Sequence, residues 1–147
     1  MSKLTFEEQL ATNGVIIHTN TGDSMMPLLR EGKDLMVIER RPEGLCKRLD
    51  AVLYKRPNGK YVMHRILKVR KDGYVICGDN RWQKEYGVPD SWVIGILTAV
   101  IRDGKTIPVT NRRYLLYVHL RCDFFWIRML DIRARGFLRR LRGKRKK

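Results

Sequence analysis

Pro57-Asn58-Gly59-Lys60 stands between the apolar runs Leu53-Tyr54 and Tyr61-Val62-Met63, and this spacing is a strong hairpin signal. Asn-Gly tolerates positive φ, so the stretch predicts a type I′ turn and two antiparallel strands. The same punctuation recurs along the chain. Glu31-Gly32 precedes the β-branched run at 34–40, Lys71-Asp72-Gly73 precedes Tyr74-Val75-Ile76-Cys77, and Asp103-Gly104 follows the run at 92–101. Residues 51–55 read as a further strand. Short strands with turn signals about every ten residues predict a mainly β body.

The flanks carry a different pattern. Thr5-Phe6-Glu7-Glu8 fits a capping box and Asn13-Gly14 supplies a stop, which predicts a helix over 6–12. Val15-Ile16-Ile17-His18 reads as a strand leading into Gly22-Asp23-Ser24-Met25-Met26-Pro27, where Pro27 suits the first position of a helical turn. Past Tyr114 the period lengthens. Arg121, Arg128, Arg135 and Arg142 recur every seven residues, opposite Phe125, Trp126, Met129, Leu130, Phe137, Leu138 and Leu141. This predicts one basic amphipathic helix over 114–141, with Gly143 to Lys147 as a frayed basic end. The expected organisation is a short helix in 1–14, a β domain in 15–110, and the basic helix and tail in 111–147.

Charge is as uneven as hydropathy. Of a net +16, the stretch from Asn111 onward contributes +11, with 13 Lys/Arg against two acids. A basic tail implies an anionic partner, either lipid headgroups or nucleic acid, or simple solubility. Cys46, Cys77 and Cys122 have no CxxC spacing, so free thiols are expected rather than a zinc site or disulfide framework, and no cofactor is implied. Acids at Glu7 and Glu8 interrupt any apolar signal segment, and no window offers the roughly 18 to 20 apolar residues of a spanning helix. The expected location is a membrane surface or the cytoplasm.

Ser24 is the candidate nucleophile, and serine needs a base within hydrogen-bond reach. His64, in Met63-His64-Arg65-Ile66, is the candidate, because an imidazole with a pKa of about 6.5 accepts a proton at neutral pH. Gly78-Asp79-Asn80-Arg81 follows. Each stretch also has a plainer reading: Asp23-Ser24 as turn and cap chemistry, His64 as a strand histidine among apolar neighbours, and Gly78 to Arg81 as a turn.

Ser-Met-x-Pro, then His-Arg, then Gly-Asp-Asn, in that order, resembles the signal peptidase I family of serine peptidases in its Ser-His branch. The resemblance covers 22–100 and implies the small coiled β-barrel of signal-peptidase and LexA-like domains. It makes Ser24 the nucleophile and His64 the base. Met25 and Pro27 would shape the turn and line the cleft, and Arg65 would accompany the base. Gly78, Asp79 and Asn80 would organise the floor. An acid six or seven residues past Asp79 supports the base in the family; here that is Glu85, with Asp79 as the alternative. Where some members carry a side-chain oxyanion donor, this chain has Gly22, so the oxyanion hole falls to backbone N–H groups, including that of Ser24. Substrates would be leader or signal-type peptides bound as an extended strand. The tail lies outside the resemblance, so a chain ending at Asn111 is expected to keep its active site, and the basic helix is expected to bind anionic membranes. Two other functions stay open: a peptidase-like domain that only binds peptides, and a nucleic-acid-binding domain driven by the tail.

Overall fold

A computed structural model describes residues 4–144. Helix α1 (Phe6–Asn13) leads into β1 (Val15–Thr19), β2 (Leu35–Arg40), β3 (Ala51–Lys55), β4 (Tyr61–Arg70), β5 (Gly73–Cys77) and β6 (Glu85–Val88). A 3₁₀ turn at Asp90–Trp92 precedes β7 (Val93–Arg102) and β8 (Lys105–Pro108), and α2 (Arg112–Cys122) and α3 (Phe125–Lys144) follow. The strands form one mainly antiparallel sheet in the order β1-β2-β7-β3-β4-β5-β6, with β8 on β7. The basic end at Arg145, Lys146 and Lys147 lies outside the described residues.

Local chemistry accounts for the elements. The Thr5 hydroxyl accepts from the Glu8 N–H at 3.2 Å while the Glu8 carboxylate accepts from the Thr5 N–H at 2.7 Å, the two halves of a capping box. Gly14 closes α1 in the left-handed region at φ 73°. The β3–β4 hairpin forms, but not with the expected type I′ turn. Gly59 N–H donates to the Arg56 carbonyl at 2.9 Å, which centres the turn on Pro57-Asn58, and only Gly59 takes a positive φ. Pro57, with φ fixed near −65°, suits the first central position of an ordinary turn. The paired positive φ of a type I′ turn occurs instead at Asp103-Gly104, between β7 and β8.

β3 is buried along Ala51, Val52, Leu53 and Tyr54, so both faces of the sheet are covered at its centre. Leu53 and Met63 pack with Leu10, Ile38 and Leu97 in one cluster; Val52 and Tyr54 pack with Ile66, Tyr74 and Ile76 in another. Each such fully buried aliphatic side chain contributes about 1.5–3 kcal/mol. Register shifts at Val37/Ile38, Leu53/Tyr54 and Ile66/Lys68 interrupt the ladders.

The C-terminal segment departs from the expected single helix. It breaks between Cys122 and Phe125, and the α2 end is capped by Asp123 N–H donating to the His119 carbonyl at 2.9 Å. Two of its arginines also turn inward rather than joining one solvated face. Arg128 is fully buried and Arg121 nearly so. Among the described residues, no helix is long and apolar enough to cross a membrane.

Candidate active site

Ser24 lies in the loop between β1 and β2, tied by Met26 N–H to the Asp23 carbonyl at 3.1 Å and by Leu29 N–H to the Met25 carbonyl at 3.0 Å. Pro27 does not take the first position of a helical turn as expected: it lies inside the turn that Leu29 N–H closes on the Met25 carbonyl, and the Met26–Pro27 peptide is cis. Two clamps hold the loop. From one direction, Arg102 donates to the Leu28 carbonyl at 2.7 Å and to Asp34, a buried carboxylate that also binds Arg30. Burial opposes the charge on Asp34, but the guanidinium bonds outweigh it and hold its carboxyl far below the usual range. From another direction, Asn80 N–H donates to the Ser24 carbonyl at 2.8 Å, Asn80 Nδ2 to the Asp23 carbonyl at 2.9 Å, and Arg81 pairs with Asp23 at 2.5 Å.

Gly78 sets how closely the parts approach. A Cβ at this position would stand 2.6 Å from the Ser24 carbonyl oxygen and 3.1 Å from His64 Nε2. Only a residue without a side chain lets the β5 end pass between the serine loop and the imidazole. The Nε2 edge of His64 therefore faces the serine side. Among the described residues, the Ser24 hydroxyl and N–H are engaged in no hydrogen bond.

The other edge of His64 meets an acid. Nδ1 lies 3.4 Å from Glu85 Oε1 and 3.3 Å from the Tyr54 hydroxyl, which itself donates to Glu85 at 2.8 Å; Arg56 pairs with the same carboxylate. Sheet register explains the convergence. Glu85 pairs with Ile76, and Ile76 with Ile66, so Glu85 shares a face with Ile66 and with His64 two residues before it. Tyr54 pairs with Val62 and joins that face from β3. The His64 hydrogen bond, then Arg56 and Tyr54, outweigh partial burial and lower the Glu85 pKa from its ordinary 4.5 to about 2. Burial, then the bond to Glu85, pushes the Tyr54 phenol up.

Arg65 follows His64 on the strand and so points to the opposite face. It does not accompany the base but binds Asp79 through two bonds of 2.9 Å, with both side chains fully buried. The Tyr117 hydroxyl donates to the same carboxylate at 3.0 Å, and Arg128 stands 3.8 Å from it. Burial raises the Asp79 pKa, yet the Arg65 charge and these donors prevail and hold it below its ordinary value. Asp79 is thus corrected from alternative partner of His64 to a floor residue, because its lone pairs are spent on the opposite side of the sheet. Arg121 donates to the Asp79 carbonyl at 2.7 Å and Arg128 to the Gly78 carbonyl at 3.3 Å, so α2 and α3 hold the floor from below.

Two clefts meet at Ser24. The larger, about 500 Å³, is lined by His18, Met36, Ile38, Leu53, Tyr61 and Met63, with Phe6 of α1 edge-on to His18 and Tyr61 at its rim. The smaller, about 410 Å³, holds His64, Glu85, Arg56, Arg81 and Lys84. Met25 and Pro27, expected to line the cleft, take other places. Met25 is fully buried, its sulfur accepting from the Asp79 N–H at 3.5 Å, and Pro27 borders a separate cleft with Leu28, Arg102 and Tyr114. Strand alternation would have found Tyr54 and the lining residues. Nothing in the sequence pairs Arg121 or Arg128 with backbone carbonyls. Set against family models, curated proteins and solved structures, the chain matches none of them.

Proposed function

We propose that the protein is a serine endopeptidase of the signal-peptidase I type, working through Ser24, His64 and Glu85. The observation that carries this reading is the imidazole of His64, with a carboxylate against Nδ1 and the serine loop on its Nε2 side. Ser24 Oγ attacks the peptide carbonyl while His64 Nε2 takes its proton. Glu85, kept ionised, steadies the imidazolium and fixes the ring, a role that Tyr54 and Arg56 support by holding the carboxylate in place. The Ser24 N–H, free of other bonds, receives the oxyanion, with no side-chain donor at Gly22. His64 then protonates the leaving amine, and water releases the acyl group. In free enzymes the nucleophile–base bond is commonly long and closes when substrate binds.

The same reading assigns the acyl side of the substrate to the larger, apolar cleft and the leaving group to the smaller one beside His64. It also extends to the fold. The ladder interruptions, with an extra residue on β7 at Ile94 and at Thr98 and on β4 at Leu67, are the kind of bulge that curls a sheet, and we read the whole as the small coiled barrel of signal-peptidase and LexA-like domains. Incubation with a library of leader and signal-type peptides, with cuts located by mass spectrometry, tests the proposal. Cleavage that depends on Ser24 supports it. Peptide retention without cleavage would favour a binding domain, and binding of nucleic acid alone would overturn both.

A further inference from the structure

Helix α3 is amphipathic in an inverted sense. Arg128, Arg135 and Arg139 turn toward the body: Arg128 is buried, Arg135 binds Asp131 at 2.6 Å, and Arg139 borders a cleft with Asp23, Asn80 and Arg81. The opposite side is apolar and open. Trp126, Leu130, Phe137 and Leu141 stand 62%, 57%, 62% and 47% exposed. At about 100° per residue these four fall within about 60° of one another, a stripe about 22 Å long. Leu138, also exposed, widens it, and the exposed Arg133, Arg140 and Arg142 lie along its margins. Globular domains rarely leave such a patch uncovered without use for it.

We propose that this face of α3 seats the protein on the surface of an anionic bilayer, with the helix lying in the interfacial plane. Charge selects this occupant. A second copy would bring arginine margins against arginine margins between bodies that each carry +16. Asp131, the one acid within α3, is already bound by Arg121 and Arg135 and offers a second copy nothing. An exposed ridge of aromatic and aliphatic side chains between cations needs no shaped groove in its partner, and an interface of acyl chains under anionic headgroups provides both chemistries. This inference stands apart from the peptidase reading: it uses none of Ser24, His64 or Glu85.

The test is co-sedimentation of the full chain with vesicles of phosphatidylcholine alone and of phosphatidylcholine mixed with phosphatidylglycerol. The protein should pellet with the mixed vesicles, less so as salt rises, and stay in solution with the neutral ones. The double variant Trp126→Ser/Phe137→Ser, both positions exposed, should lose about tenfold or more in partitioning while keeping its circular dichroism. Arg133→Gln and Arg140→Gln should lose up to about fivefold each. Ser24→Ala should bind as well as the parent. Equal binding to both vesicles, unchanged binding by the double variant, or a dimer in sedimentation velocity that the double variant dissolves would overturn the proposal.

Discussion

Glu85 and Asp79 come from one short stretch of chain, and the sheet between them puts them to opposite uses. Asp79 is fully buried, with Arg65 across it, Tyr117 on one oxygen and Arg128 behind. Glu85 keeps about a third of its side chain exposed and shares one oxygen among His64, Tyr54 and Arg56. A carboxylate saturated by fixed donors in a dry site answers to the fold alone. One at the rim of a cleft can answer to the charge of the imidazole it touches. The cleft side of the sheet is therefore where substitutions should cost rate, and the floor side is where they should cost stability.

The largest separation is expected at the nucleophile and base. Ser24→Ala and His64→Ala should each lower peptide cleavage by on the order of 10⁴-fold or more, and the double variant by hardly more, because the pair acts as a unit. Chemical denaturation should find Ser24→Ala within about 1 kcal/mol of the parent, and His64→Ala less destabilised than the floor-side variant Asp79→Asn.

On the floor side, Asp79→Asn leaves buried Arg65 and Arg128 without a full counter-charge, which should cost about 3–5 kcal/mol of stability in the same denaturation experiment. A chain ending at Asn111 loses Tyr117, Arg121 and Arg128 together. Contrary to the expectation that the tail is separable from the site, it should lose cooperative unfolding along with activity.

Gly78→Ala should straddle both sides. Its Cβ would stand 2.6 Å from the Ser24 carbonyl, so the serine loop must shift, and cleavage should fall on the order of 10²-fold with a stability loss of about 1–3 kcal/mol.

Glu85→Gln should be the mildest. Turnover should drop on the order of 10²-fold, short of the loss at Ser24, with a loss of stability at neutral pH that is smaller than that of Asp79→Asn. The contrast sharpens with acid. Folding lowers the Glu85 pKa from 4.5 to about 2, so its contribution to stability is fully present above 4.5 and is lost as pH falls toward 2. Glu85→Gln should flatten that part of the stability–pH curve, and Tyr54→Phe, which removes one donor to the carboxylate, should flatten it less.

What could be read in advance follows from what is local. The α1 capping box and the β3–β4 hairpin are each set by residues close together in the chain, and they stand in the structure close to where the sequence puts them. β6 was not legible, because Glu85-Tyr86-Gly87-Val88 carries little apolar alternation and is a strand through its pairing with β5. The fate of Asp79 depended on Arg65 facing away from His64, which alternation along β4 implies but which adjacency in sequence conceals. Periodicity found the two sides of α3 and could not tell which turned inward. The Gly78 carbonyl, which accepts from Arg128, helps to decide that, and no side-chain pattern announces a carbonyl that needs an arginine.

Nucleophilic attack by Ser24 passes through an acyl-enzyme, and trapping that intermediate tests it. The protein is mixed with a peptide it cleaves, quenched in acid and digested for mass spectrometry. The expected product is an adduct equal to the amino-terminal fragment of the substrate, less water, on the peptide containing Ser24, and none in Ser24→Ala. An adduct on any other residue, or cleavage that persists at the parent rate in Ser24→Ala, would contradict it.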